Sequence, residues 1–120
     1  MKQGKIVYDP LYGFIRLTDT EYRLIHSPFY LRLRWIKQLG FSNYLFPGAE
    51  HNRYSHALGV MHMADQICRA IGKAVPDEKL FDASSSDSAS VFHKSMRISA
   101  LLHDIGTFPF SHTCEGAYIK

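Results

Sequence analysis

Leu101-Leu102-His103-Asp104-Ile105-Gly106 sets an imidazole beside a carboxylate at the point where an apolar helical run gives out. The apolar residues before the pair imply burial, and a buried ionised aspartate needs a cation, a donor or a metal to offset its lost hydration. A divalent ion would satisfy both side chains at once, because a neutral imidazole nitrogen and a carboxylate oxygen are ligands suited to Zn, Mn, Fe or Ni. Two ligands do not hold an ion tightly, so further groups must come from elsewhere in the chain. Seven histidines in 120 residues supply the candidates.

Working backwards, the run before His103 predicts a helix over 91–104. It is nearly continuous in apolar residues from Ile98 to Leu102, which implies burial on more than one side, and Gly106 permits the left-handed turn that closes it. Before it, Pro76 ends a preceding helix, and the serine-rich stretch around Ser84-Ser85-Ser86-Asp87-Ser88 predicts a solvated, flexible loop over 76–90. The preceding helix carries Ala57, Val60, Met61, Ala64, Ile67, Cys68 and Ile71 at the spacing of one buried face. His56 lies at the edge of that face and is the favoured partner of His103 and Asp104. His62 is turned about 120° from His56 on the same helix and is read as a surface or packed side chain. His26 and His93, near helix ends, are read as facing solvent.

The N-terminal third is built from local signals. Residues 5–17 predict a β-hairpin turned by Pro10 and Gly13, which must lie on helices because two strands alone are marginal. Thr18-Asp19-Thr20-Glu21 matches a capping box opening a short helix over 19–26. Ser27-Pro28 opens another over 28–39, with Phe29, Leu33, Trp35, Ile36 and Leu39 inward and Gly40 as its stop. Residues 41–52 read as a loop, and a further helix begins near Ser111. The fold expected is mainly α, a helical bundle with a short N-terminal hairpin: 1–17 hairpin, 18–120 helical core, one domain with no internal repeat.

Composition narrows the function classes. Charged residues at 21% and hydrophobic residues at 46% are ordinary for a globular chain, and no apolar run approaches the ~18 residues of a membrane span. Met1-Lys2-Gln3-Gly4-Lys5 has no apolar stretch of a secretory signal, so a cytoplasmic location is expected. Cys68 and Cys114 are too far apart to form a zinc pair and are read as small thiols. The net charge of +3 sits in the first third, where seven Lys and Arg face three Asp and Glu. Arg32, Arg34 and Lys37 there form a solvated helix face or a surface for a polyanion.

Three blocks carry a resemblance. Phe46-Pro47-Gly48-Ala49-Glu50-His51-Asn52-Arg53-Tyr54-Ser55-His56-Ala57-Leu58-Gly59-Val60, and Leu102-His103-Asp104-Ile105-Gly106-Thr107-Phe108-Pro109-Phe110-Ser111-His112, resemble the HD-domain metal-dependent phosphohydrolases. Within that family they are most similar to the deoxynucleoside-triphosphate triphosphohydrolase branch, as is Leu31-Arg32-Leu33-Arg34-Trp35-Ile36-Lys37-Gln38-Leu39-Gly40. The resemblance implies a helical domain in which His56, His103, Asp104 and a later aspartate bind a divalent metal, be it Mn, Fe, Ni, Zn or Mg. It implies Arg53 near the phosphates of a nucleotide, Gln38 near its sugar and His112 lining the pocket. The family's last aspartate belongs to a helix well downstream, so the sequence reads as an HD core truncated at its C-terminus. The branch also places a histidine four residues after His103, where this chain has Thr107. Threonine does not transfer protons near neutral pH, which leaves His112 as the nearest acid or base.

The reaction expected is metal-dependent hydrolysis of a nucleotide, a (deoxy)nucleoside triphosphate, with catalytic roles for Asp104 and His112. Two other readings stand beside it: a nucleotide-sensing HD module without turnover, and a basic helical domain binding nucleic acid or a protein partner. An exposed apolar edge would favour homo-oligomers, and no membrane association is expected.

Overall fold

The computed structural model describes residues 5–37, 39–48, 51–82 and 84–106. Strands β1 (Lys5–Asp9) and β2 (Gly13–Leu17) pair antiparallel with Val7 opposite Ile15 and Asp9 opposite Gly13. The turn is made by the Asp9 carboxylate, which accepts the amides of Leu11 (2.8 Å) and Tyr12 (3.1 Å), and by Gly13 at φ 76°. Strand alternation then sends Ile15 and Leu17 into the core and leaves Ile6, Tyr8 and Phe14 on the outer face.

Helix α1 (Asp19–Ile25) opens with the expected capping box: Thr18 Oγ1 accepts the Glu21 amide at 3.2 Å and Glu21 Oε2 accepts the Thr18 amide at 2.8 Å. Ser27 caps α2 (Pro28–Leu31). The single helix expected over 28–39 does not form. After one turn the chain tightens into a 3-10 turn, Arg32–Trp35, and becomes extended at Ile36. The cause is a competing backbone partner: the Ile36 carbonyl accepts the Arg53 amide at 2.8 Å, and Lys37 bridges Asn52. Three-residue periodicity keeps Leu33 and Ile36 buried and turns Trp35 outward, 88% exposed, while Phe29 on α2 and Leu39 beyond the extended residues are exposed as well, all three having been expected inward. A second 3-10 turn, Gly40–Tyr44, lies in the segment expected to be a loop.

Helix α3 (Arg53–Ala70) is capped by Asn52, whose Oδ1 accepts the Ser55 amide at 3.0 Å. Its buried residues include Tyr54, Ala57, Leu58, Met61, Asp65 and Cys68, so the inward face carries a carboxylate, while Ile67 and Ile71, expected inward, are exposed. A single helical turn, α4 (Asp77–Leu80), lies within 76–90 and buries Leu80. Helix α5 (Ser88–Leu102) packs along α3. Within 98–102 only Leu101 is fully buried, so the expected burial on several sides is not met; the inward stripe of α5 is Ser90, His93, Arg97 and Leu101. The apolar core collects Leu17, Ile25, Tyr30, Leu33, Ala57, Met61 and Leu101 where the hairpin, α1, α2, α3 and the end of α5 meet. The described residues are thus mainly helical with one small sheet, and no helix among them is long and apolar enough to cross a membrane.

Candidate metal centre

Helix α5 ends at Leu102, so His103 caps it and Asp104 follows on the departing chain. Three contacts fix this end. The buried Tyr30 hydroxyl donates to the Leu101 carbonyl at 3.0 Å, the Ile105 amide donates to the Leu102 carbonyl at 3.2 Å, and Arg32 Nη2 donates to the Ile105 carbonyl. Opposite, the first turn of α3 presents Arg53 and His56, three residues apart and therefore on one face. The two helices meet here with the His56 and His103 ring centroids 5.6 Å apart.

Ligand atoms of His56, His103 and Asp104 lie within 4.8 Å of one another. Asp104 Oδ2 is 3.2 Å from His103 Nε2 and 3.9 Å from His56 Nε2, and it accepts Arg53 Nη1 at 2.7 Å. Arg53 is 3% exposed, so this pair is shielded from water on the arginine side.

The tautomer of His103 follows from its neighbour. Its Nδ1 lies 2.6 Å from the Ala100 carbonyl, which only accepts, so Nδ1 carries the proton and a neutral ring keeps its lone pair on Nε2. That lone pair faces a carboxylate oxygen, an arrangement that is repulsive unless a proton or a cation lies between them. Burial first, then His103 in its protonated form and the charge of Arg53, lower the His56 imidazole from its ordinary pKa, with Asp104 acting in the opposite sense. A neutral His56 therefore also offers a lone pair. Two ligand atoms bound to one ion at ~2.1 Å stand about 3–3.5 Å apart at tetrahedral or octahedral angles. The donor set fits a divalent cation, and the 3.2 Å between Asp104 Oδ2 and His103 Nε2 matches that spacing, while His56 Nε2, 3.9 Å from the same oxygen, stands slightly wider.

His62 stacks on Tyr12, centroids 4.8 Å apart, and takes no part in this cluster, as its position on the helix requires. His26 is exposed and donates from Nδ1 to the Tyr22 carbonyl. His93 is a correction: read as facing solvent, it is completely buried and contacts Asp65. Sequence reasoning missed the group to which it belongs, Glu21, Asp65, His93 and Arg97. The available signal was Arg97 itself, four residues from both His93 and Leu101 on one helical stripe. An arginine on an inward face demands buried acceptors. Gln38, Thr107, His112, Cys114 and the helix expected near Ser111 lie outside the described residues.

The family model for the HD domain matches residues 53–119, a span that opens at Arg53 and includes His56, His103 and Asp104. The chain belongs to the HD-domain family. This HD domain is 41% identical over 115 residues to the deoxynucleoside triphosphate triphosphohydrolase SAMHD1 of Homo sapiens, covering 96% of the chain and 17% of that relative. It is 32% identical over 114 residues to the SAMHD1 homolog of Dictyostelium discoideum, covering 95% of the chain and 21% of the relative. An uncharacterized protein of Methanocaldococcus jannaschii is 37% identical over 111 residues, 92% of the chain and 21% of that protein. The chain thus spans about a fifth or less of the length of these curated relatives.

Proposed function

We propose that this chain is one part of a metal-dependent phosphohydrolase acting on a nucleotide, a (deoxy)nucleoside triphosphate. The observation that carries the reading is the convergence of two imidazoles and a carboxylate, lone pairs inward, beside a buried arginine. The names of the SAMHD1 relatives support the substrate class. A divalent ion bound there supplies Lewis-acid polarisation of a phosphoryl oxygen and activation of the attacking water. His56 Nε2, His103 Nε2 and Asp104 Oδ2 hold the ion, and the His103 Nδ1 bond to the Ala100 carbonyl keeps that ring aimed inward. Arg53, nearly dry and anchored on Asp104, places its positive charge beside the phosphate oxygens. Gln38 meets the sugar, and His112 positions water or protonates the leaving oxygen. In the same reading the chain is a partial HD domain of a cytoplasmic protein, and its exposed aromatic residues favour self-association.

The test is metal content together with hydrolysis of a panel of deoxynucleoside and ribonucleoside triphosphates, for the wild type and His103→Ala. Loss of both metal and turnover in the variant is expected; equal metal and equal turnover refute the assignment. Thr107 favours a second reading, a module that binds nucleotide without turnover. Tight nucleotide binding with no product, in the presence of Mn2+, would select it.

A further inference from the structure

Away from the His56 cluster, Glu21, Asp65, His93 and Arg97 form a buried polar network joining α1, α3 and α5. Arg97 donates from Nε and Nη2 to the two Glu21 oxygens at 2.8 and 3.0 Å, from Nη1 to Asp65 Oδ1 at 2.8 Å, and from Nη2 to the Arg16 carbonyl at 2.7 Å. The His93 ring is fixed by its partners. The Val75 amide donates to Nδ1 at 3.3 Å, so Nδ1 holds the lone pair and Nε2–H donates to Asp65 Oδ1 at 2.7 Å. Asp65 Oδ2 accepts Arg69 Nε at 2.8 Å. One carboxylate on α3 therefore receives two side chains of α5 and one of its own helix.

A buried ion set adds little net stability over apolar residues of the same volume, and its best-attested use is to fix register. Apolar side chains tolerate sliding because their attraction has no direction. This network does not: a slip of one residue along a helix displaces a side chain by about 1.5 Å and turns it by about 100°. Asp65 follows His56 on α3 while His93 and Arg97 precede His103 on α5, so the helices run antiparallel and both clusters lie along one helix pair. At 1.5 Å per residue the two are roughly 12 Å apart.

The geometry points to Asp65, with His93 and Arg97, as a positioning lock that sets α5 against α3 so that His103 and Asp104 meet His56. The lock deepens the function proposed above and rests on it only for the identity of what the site holds. An ion site needs its ligands placed to within about 0.5 Å, finer than apolar packing of two helices guarantees. The lock supplies that placement from two turns away, and none of its residues touches the ion or the substrate.

Mn2+ alone is the probe, titrated calorimetrically into the wild-type chain and its variants, with circular dichroism reporting helix content. Asp65→Ala is expected to weaken Mn2+ binding about tenfold or more with helix content unchanged, the scale set by other groups that act through a ligand. Asp65→Asn keeps an acceptor oxygen for His93 Nε2 and Arg97 Nη1, and its affinity is expected to stay within roughly threefold of wild type. Ile25→Ala truncates a fully buried side chain in α1, and is expected to lower stability while moving Mn2+ affinity by less than about twofold. If Asp65→Ala does not fold, Glu21→Gln/Asp65→Leu/Arg97→Met replaces the ions by neutral groups, with Gln keeping an acceptor for the Thr18 amide, and about a tenfold loss is expected again. A second readout needs no metal: the nuclear Overhauser contact between the His56 and His103 rings, expected in the wild type, should vanish in the lock variants. A folded lock variant that retains that contact and wild-type affinity overturns the proposal, as does an equal loss of affinity in Ile25→Ala. A wild-type chain that binds no Mn2+ but loses the ring contact on Asp65→Ala refutes the function reading and supports the lock.

Discussion

Single atoms at the end of α5 hold the chain that carries His103 and Asp104. Tyr30 is completely buried and its hydroxyl donates to the Leu101 carbonyl, one of the acceptors that a helix end leaves without an internal partner. Tyr30→Phe removes that donor without a change of shape, so the folded state is expected to lose about 1–2 kcal/mol, read as a lower urea midpoint at unchanged slope. Burial, with Tyr54 beside it, raises the Tyr30 phenol well above its ordinary pKa. The sign follows: a folded pKa above the unfolded value of about 10 gives stability that is complete below pH ~10 and is lost as pH rises beyond it. In a spectrophotometric titration one tyrosine should therefore ionise only as the chain unfolds, and Tyr30→Phe should remove that step. A late step that persists in the variant would assign it to another ring.

At the level of elements, the contrast is between signals that close locally and signals whose partners lie far along the chain. The Thr18 box was legible because cap and partner are three residues apart; Thr18→Ala should cost about 1 kcal/mol, measurable by thermal melting. The hairpin was legible for the same reason. The helix expected over 28–39 was not, since the carbonyl that ends it is taken by the Arg53 amide from another segment. Likewise His56, His103 and Asp104 could be picked out by residue type and by their place on apolar faces. His93 and Asp65 were legible only indirectly, through Arg97 on the inward stripe of α5, because the two partners stand 28 residues apart. For Asp65, burial raises the carboxyl pKa, but hydrogen bonds from Arg69 and Arg97 outweigh it and the net shift is downward. A depressed carboxylate contributes stability that is present above its unfolded pKa of about 3.9 and is lost as pH falls through the lower folded value. Urea midpoints of the wild type should therefore drop more steeply below pH ~4 than those of Asp65→Asn; parallel curves would remove Asp65 from the acid transition.

Over the whole molecule, charge and apolar surface are segregated in a way that gives salt a definite sign. No Asp or Glu lies between Glu21 and Glu50, whereas Arg23, Arg32, Arg34 and Lys37 do. The same stretch exposes Phe29, Trp35, Tyr44, Leu45 and Phe46. Arg34 lies over the buried Tyr54 ring at 4.4 Å and Arg32 over the exposed Phe29 ring at 5.1 Å, so at Phe29 a cation and an aromatic face share the surface. Two copies meeting through it would bury apolar area, which favours association, and bring like charges together, which opposes it. Screening acts on the second effect alone: the Debye length falls from about 10 Å at 0.1 M salt to about 3 Å at 1 M. Self-association is therefore expected to strengthen as salt rises, and to be lost in Trp35→Ser/Phe46→Ser at every salt concentration, both read by sedimentation velocity. Binding of a single-stranded oligonucleotide to the same surface would have the opposite salt slope, because phosphate contacts release counterions and weaken as salt is added. Association that weakens with salt, or that survives the double substitution, would place the contact between copies on another face.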